Sequence, residues 1–184
     1  MLTDRIVAAF SFRRGIYADV EEDASFTQTA WLIVIVVSFL SQLGAHANRG
    51  FMGWIVGALI GTVLAVIGFA AAAYVIAWVG ANVFKANVNF EEMVRTLGLA
   101  YVWNILGFVG VISFFAPFLV CIASPLLFLG WIAGLVAWFV AAKEALDLEW
   151  AQTILTVVIG WVILVVLNLI AGFIIGALGF GVAM

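Results

Sequence analysis

Apolar positions fill this chain in long blocks, and short polar breaks separate them. The blocks predict five membrane-spanning helices at about residues 26–44, 51–79, 96–114, 118–141 and 150–176. Each is close to the ~20 apolar residues that a ~30 Å hydrocarbon layer requires. The expected architecture is all-α, a polytopic helical bundle. Residues 1–24 form a cytoplasmic or interfacial segment, and 25–184 form one transmembrane domain.

The N-terminal segment has its own pattern. Leu2, Ile6, Val7 and Phe10 fall at helical spacing, flanked by Asp4, Arg5, Arg13 and Arg14. That suits either a short amphipathic helix on the membrane surface or a disordered tail. The acidic group Asp19–Asp23 reads as a solvated face. Mixed charges and the lack of a continuous apolar core argue against a cleaved signal peptide, so the first span is expected to remain.

Helix starts can be read from side chains that cap free backbone N–H groups. Ser25-x-x-Gln28 has the form of a capping box at the first span. Asn89-x-x-Glu92 has a similar form, and Glu91 and Glu92 lie in a first turn, where the helix dipole favours negative charge. A helix therefore starts at Phe90 and runs into the third span. Thr96–Ala142 carries no charge and is long enough for two helices. Pro117 marks the expected turn, because the residue before proline is driven out of helix. Pro125 is expected to kink the fourth span, and Asp147 to cap the fifth. Lys85, Val88, Asn89, Phe90 and Glu91 correspond to Lys143, Leu146, Asp147, Leu148 and Glu149, 58 positions further on. This suggests a parallel repeat, although the ordinary needs of a helix start explain the Asn/Asp and the Glu.

Composition strengthens the membrane reading. Of 184 residues, 67% are hydrophobic and 9% charged, whereas soluble domains are nearer half apolar and a quarter charged. Lipid must then solvate much of the surface. Charge also orients the chain. With the N-terminus inside, the inner segments hold Arg5, Arg13, Arg14, Lys85, Arg95 and Lys143, and the outer ones only Arg49. The positive-inside rule predicts an inner N-terminus and, after five spans, an outer C-terminus.

Candidate chemistry is sparse. No Asp, Glu, Lys, Arg or His falls mid-span, which argues against proton-coupled transport and voltage sensing. One histidine, His46, and one cysteine, Cys121, make neither a typical zinc site nor a nucleophile–base pair. No catalytic residue, metal ligand or cofactor is expected, and no basic patch suits nucleic acid. Trp31, Trp54, Trp78, Trp131 and Trp150 suit interfacial belts, while Trp103, Trp138 and Trp161 lie deeper. Asn104 and Asn168 are candidates for interhelical hydrogen bonds of ~1 kcal/mol each, or for contact with a substrate. Gly53, Gly57 and Gly61 share one helical face. Gly130 with Gly134, and Gly172 with Gly176, form similar small-residue sets. Such faces admit a close neighbour, either another span of the chain or a second copy.

Three stretches carry a family resemblance: RGIYADVEEDASFTQTAWLIVIVV (Arg14–Val37), VNFEEMVRTLGLAYVWNILGFV (Val88–Val109) and WFVAAKEALDLEWAQTILTVVIGWVILVV (Trp138–Val166). Together they resemble bacterial members of the YIP (Ypt-interacting protein) membrane family. The resemblance implies five spans and an inner N-terminus, in the bacterial cytoplasmic membrane. Eukaryotic relatives are associated with trafficking and small GTPases, and carry Asp-Leu-Tyr-Gly-Pro before the first span. Here Ile16-Tyr17-Ala18-Asp19 stands in that region without a proline, so a GTPase partner is not carried over. The expected role is a membrane organiser or adaptor working through lipids, other membrane proteins or itself, not an enzyme. The alternatives are an accessory subunit of a larger energy-transducing or pigment-bearing complex, and a small carrier for an apolar or lipidic solute.

Overall fold

In a computed structural model, residues 1–47, 50–112 and 120–177 are described, with side chains except at 120–123, 164 and 167–177. Pro117 and Arg49 lie outside the described residues. The surroundings of Cys121, Asn168, Gly172 and Gly176 lie outside the described side chains.

The described chain is helical. Two short helices, α1 (Leu2–Phe10) and α2 (Ile16–Glu21), precede α3 (Phe26–Ala45) and α4 (Gly50–Val83). Then come α5 (Phe90–Ala100), a 3-10 segment (Tyr101–Val111), α6 (Val120–Leu146) and α7 (Trp150–Ala177). Among the described residues, four stretches are long and apolar enough to cross a membrane: Phe26–Ala45, Gly50–Val83, Phe90–Val111 and Ser124–Leu146. The apolar stretch Trp150–Ile163 of α7 is shorter.

Several bounds differ from expectation, each for a local reason. The N-terminal pattern is a helix and not a disordered tail: α1 buries Ala8 and Ala9 and leaves Val7 exposed. The second long helix continues to Val83, and its 34 residues span about 51 Å at about 1.5 Å per residue. That exceeds a ~30 Å layer, so α4 tilts or extends beyond it. The third apolar helix starts at Phe90, as its cap predicts, but narrows to 3-10 winding at Tyr101. The fourth continues to Leu146, with Pro125 inside it.

Two expected caps are corrected. Ser25 has helical backbone angles and makes no side-chain cap bond. Its backbone N–H and hydroxyl both donate to the Asp23 carboxylate instead. Asp147 closes α6 and does not cap α7: its φ is 47°, and its N–H donates to the Lys143 and Glu144 carbonyls. Lys85, at φ 60°, occupies the left-handed position beyond α4. In the expected repeat Asp147 matched Asn89, but the two residues do different work.

At the centre of the bundle α3 packs against the 3-10 segment, α4 and α5. A methyl group on Gly44 would run into the Gly107 backbone carbonyl, so the two backbones touch there. Met93, Val94, Leu97 and Ala100 of α5 and Ala30 and Val34 of α3 are fully buried in one apolar core, where Gly98 faces Ala30. Beyond the glycines of α4, Val56, Leu59, Ile60, Val63 and Leu64 are exposed. A large apolar surface of this kind is what a lipid solvent allows.

Candidate functional site

Two polar features stand out against this apolar frame, one at an end of the bundle and one within it. The first is built on the start of α5. Asn89 accepts from the Glu92 N–H at 2.9 Å, and Glu92 accepts from the Asn89 N–H at 2.9 Å, completing the predicted capping box. One turn later Arg95 points inward and is only 5% exposed. Its Nε donates to the Glu21 backbone carbonyl at 2.9 Å, Nη2 donates to the same oxygen, and Nη1 donates to Thr27 Oγ1 at 3.2 Å. That carbonyl ends α2, where a helix presents unpaired oxygens and a partial negative charge. One guanidinium thereby fastens α2 and α3 to α5.

Acidic groups surround this fastening. The Glu21 carboxyl is pushed up to about 7, first by burial and then by the negative charges of Glu92, Asp147 and Glu144, with Arg95 opposing them. The Asp23 carboxyl is held below its usual range by the hydrogen bond from Ser25 and by Arg5. Arg5 Nη2 lies 2.7 Å from Asp23, and its guanidinium sits 4.9 Å from the centre of the Phe26 ring. These contacts hold α1 beside the start of α3.

The second feature is a cavity of about 440 Å³ between the 3-10 segment, α6, α7 and the C-terminal part of α3. Trp103, Trp131, Trp138 and Trp161 form much of its wall. Gly130 and Gly134 also line it, and there α6 packs closely on the 3-10 segment: a methyl group would meet Leu106 and Trp103 respectively. Its polar lining includes Ser41 and Asn104, and its described lining residues include no Asp, Glu, Lys, Arg or His. Asn104 Nδ2 donates to the Tyr101 carbonyl at 3.3 Å, and the Ser41 hydroxyl makes no hydrogen bond among the described residues. Trp103 also forms a link to the N-terminal segment. Phe10 meets it edge-on at 4.9 Å between ring centres, and Phe12 stacks on it at 5.4 Å.

Comparison with known families decides what this bundle is. The profile of the Yip1 domain matches residues 9–180, nearly the whole chain. The chain belongs to the Yip1 family. No curated protein and no solved structure matches it. The family match and the apolar helices together make it a multi-pass integral membrane protein.

The other predicted positions distribute through the Yip1 fold as follows. Gly57 and Gly61 both face α3, where a methyl group would meet the His46 ring and the Gln42 side chain respectively. Their close neighbour is therefore a span of the same chain. Gly53 is exposed. Among the described residues, Asn104 bonds within its own segment and not across to another helix. His46 Nδ1 lies 3.0 Å from the Gln42 carbonyl. Among the described residues, no group of three or more His, Cys, Asp or Glu could hold a metal ion.

Sequence reasoning missed Arg95 and counted it only as an orienting charge. A signal was present: Arg95 shares a helical face with Gly98, Leu99 and Val102, all on the inner side of the bundle. It also missed the Gly44–Gly107 contact, because a lone glycine on α3 has no repeat to mark it.

Proposed function

We propose that this protein is a five-span organiser or adaptor of the bacterial cytoplasmic membrane, with its N-terminal helices inside. It works through contacts with lipids and neighbouring membrane proteins and catalyses no reaction. The supporting observation is where the polar chemistry is spent. Arg95, Arg5 and Asp23 hold helices together at one end, and Asn89 and Glu92 cap the start of α5 there. The intramembrane cavity offers tryptophan, glycine, leucine and neutral hydrogen-bonding groups. Among the described residues, neither arrangement supplies a nucleophile with a base, or a relay for protons.

Purification of the full chain in mild detergent tests this. The expected result is a particle of this chain with bound lipid and other membrane proteins at variable ratio. Elution with large subunits at fixed stoichiometry replaces the free-standing organiser with an accessory subunit of their complex. The cavity also favours a second reading, a carrier for an apolar or lipidic solute. Transfer of such a solute between vesicles, dependent on the protein, would establish it.

A further inference from the structure

The cavity has a definite place along the bundle. Asn104 lies about 24 Å along the axis from Phe90, at about 1.5 Å per residue in α5 and about 2.0 Å in the 3-10 segment. Ser41 lies about 22 Å from Phe26 by the same measure. Both polar residues lie nearer the His46 end of the bundle than the end that holds Phe26 and Phe90. Trp138 lies only about 12 Å from Leu146, the near end of α6. The cavity is thus a slot that runs along the helices, with polar groups high in it and aromatic walls reaching deeper.

The lining selects the occupant. Its described lining holds no Asp, Glu, Lys, Arg or His to compensate an ion. Its volume is within the ~300–1,000 Å³ usual for small-molecule sites. Asn104 uses one N–H on Tyr101 and keeps a second, and the Ser41 hydroxyl is unengaged among the described residues. Both can donate, in surroundings where an unpaired donor is costly. A carbonyl oxygen on a flexible hydrocarbon chain meets both requirements.

We infer that the slot holds one acyl chain of a glycerolipid from the leaflet on the His46 side, its ester carbonyl accepting from Asn104 and Ser41. This deepens the lipid-contact reading above and rests on it. Trp103, Trp131 and Trp138 flank the chain.

The test uses the full chain in mild detergent, stripped of lipid and then supplied with a phosphatidylcholine bearing ester-linked chains or its ether-linked analogue. Native mass spectrometry counts retained lipid. The wild-type chain is expected to keep one ester lipid and to hold the ether analogue, which lacks the carbonyl, about 5-fold more weakly, equivalent to about 1 kcal/mol. Ser41→Ala with Asn104→Leu is expected to erase that ester preference. Leu127→Trp, which adds bulk to the wall, is expected to reduce retention of both lipids. Equal retention of ester and ether lipid by the wild-type chain overturns the inference, as does no retention at all. The ester–ether comparison needs no variant, so misfolding of a variant cannot decide it. If the chain stays in membranes until detergent is added yet shows no ester preference, only this inference fails. Release of the chain by salt or alkali would instead defeat the membrane-spanning reading.

Discussion

Replacing Arg95 with methionine is expected to undock the N-terminal helices while leaving the spans assembled. Arg95 supplies three donors, two to the Glu21 carbonyl and one to Thr27. Methionine fills similar space and donates none. Each hydrogen bond to a charged group contributes roughly 1.5–3 kcal/mol net, and a buried acceptor left unpaired costs roughly 1–3 kcal/mol. Relief of guanidinium burial offsets part of that loss. The balance is about 2–4 kcal/mol, carried mostly by the docking of α2. At about 1.4 kcal/mol per factor of ten, α2 should open between one and three powers of ten more often. Hydrogen exchange of the Ile16–Glu21 amides, measured in nanodiscs, reports this opening directly. Exchange should rise there and stay unchanged in Leu59–Leu64 of α4. Arg95→Lys should recover only part of the protection, since an ammonium lacks the planar fork that reaches both acceptors. If α2 exchanges at the wild-type rate in Arg95→Met, the fastening role assigned to Arg95 is wrong.

Three further outcomes are expected. Gly44→Ala should cost about 1–3 kcal/mol in detergent unfolding, because the added methyl meets the rigid Gly107 backbone; Gly57→Ala should cost less, since the His46 ring it meets can turn aside. Asn89→Ala should cost about 0.5–2 kcal/mol by removing the cap of α5, seen as a lower melting temperature. Glu21 has a folded value of about 7 against 4.5 for the free side chain, so its contribution to stability falls as pH rises from 4.5 through 7 and is level above. Glu21→Gln should therefore stabilise the protein at pH 7.5 by about 1 kcal/mol, a linkage figure reduced for the carboxyl's partial contact with water, and by almost nothing at pH 4, as thermal melts at the two pH values would show.

Much of the fold was legible because lipid imposes a simple rule on sequence. A continuous apolar block must be a helix in a membrane, and Gly50–Val83 and Phe26–Ala45 are such blocks. The Asn89–Glu92 box was legible because its chemistry is local, confined to four consecutive residues. The Ser25 box failed although its spelling was right: Asp23, two residues earlier, captured both donors and left Ser25 in helical geometry. Arg95 illustrates what periodicity omits. Its partners, Glu21 and Thr27, lie on other elements, and only the folded bundle brings them together. The cavity is of the same kind. Trp103, Trp138 and Trp161 were marked as deep and Asn104 as polar, but the void between them depends on how the 3-10 segment, α6 and α7 diverge.

Labelling of single cysteines by an impermeant maleimide tests the central account, a bundle with its polar fastening inside the cell. In a Cys121→Ser background, Lys85→Cys and Asp147→Cys sit in exposed turns at one end, and Ala45→Cys is exposed at the other. Intact cells should label Ala45→Cys and spare Lys85→Cys and Asp147→Cys until the membrane is opened. Labelling of Lys85→Cys or Asp147→Cys in intact cells would contradict the account.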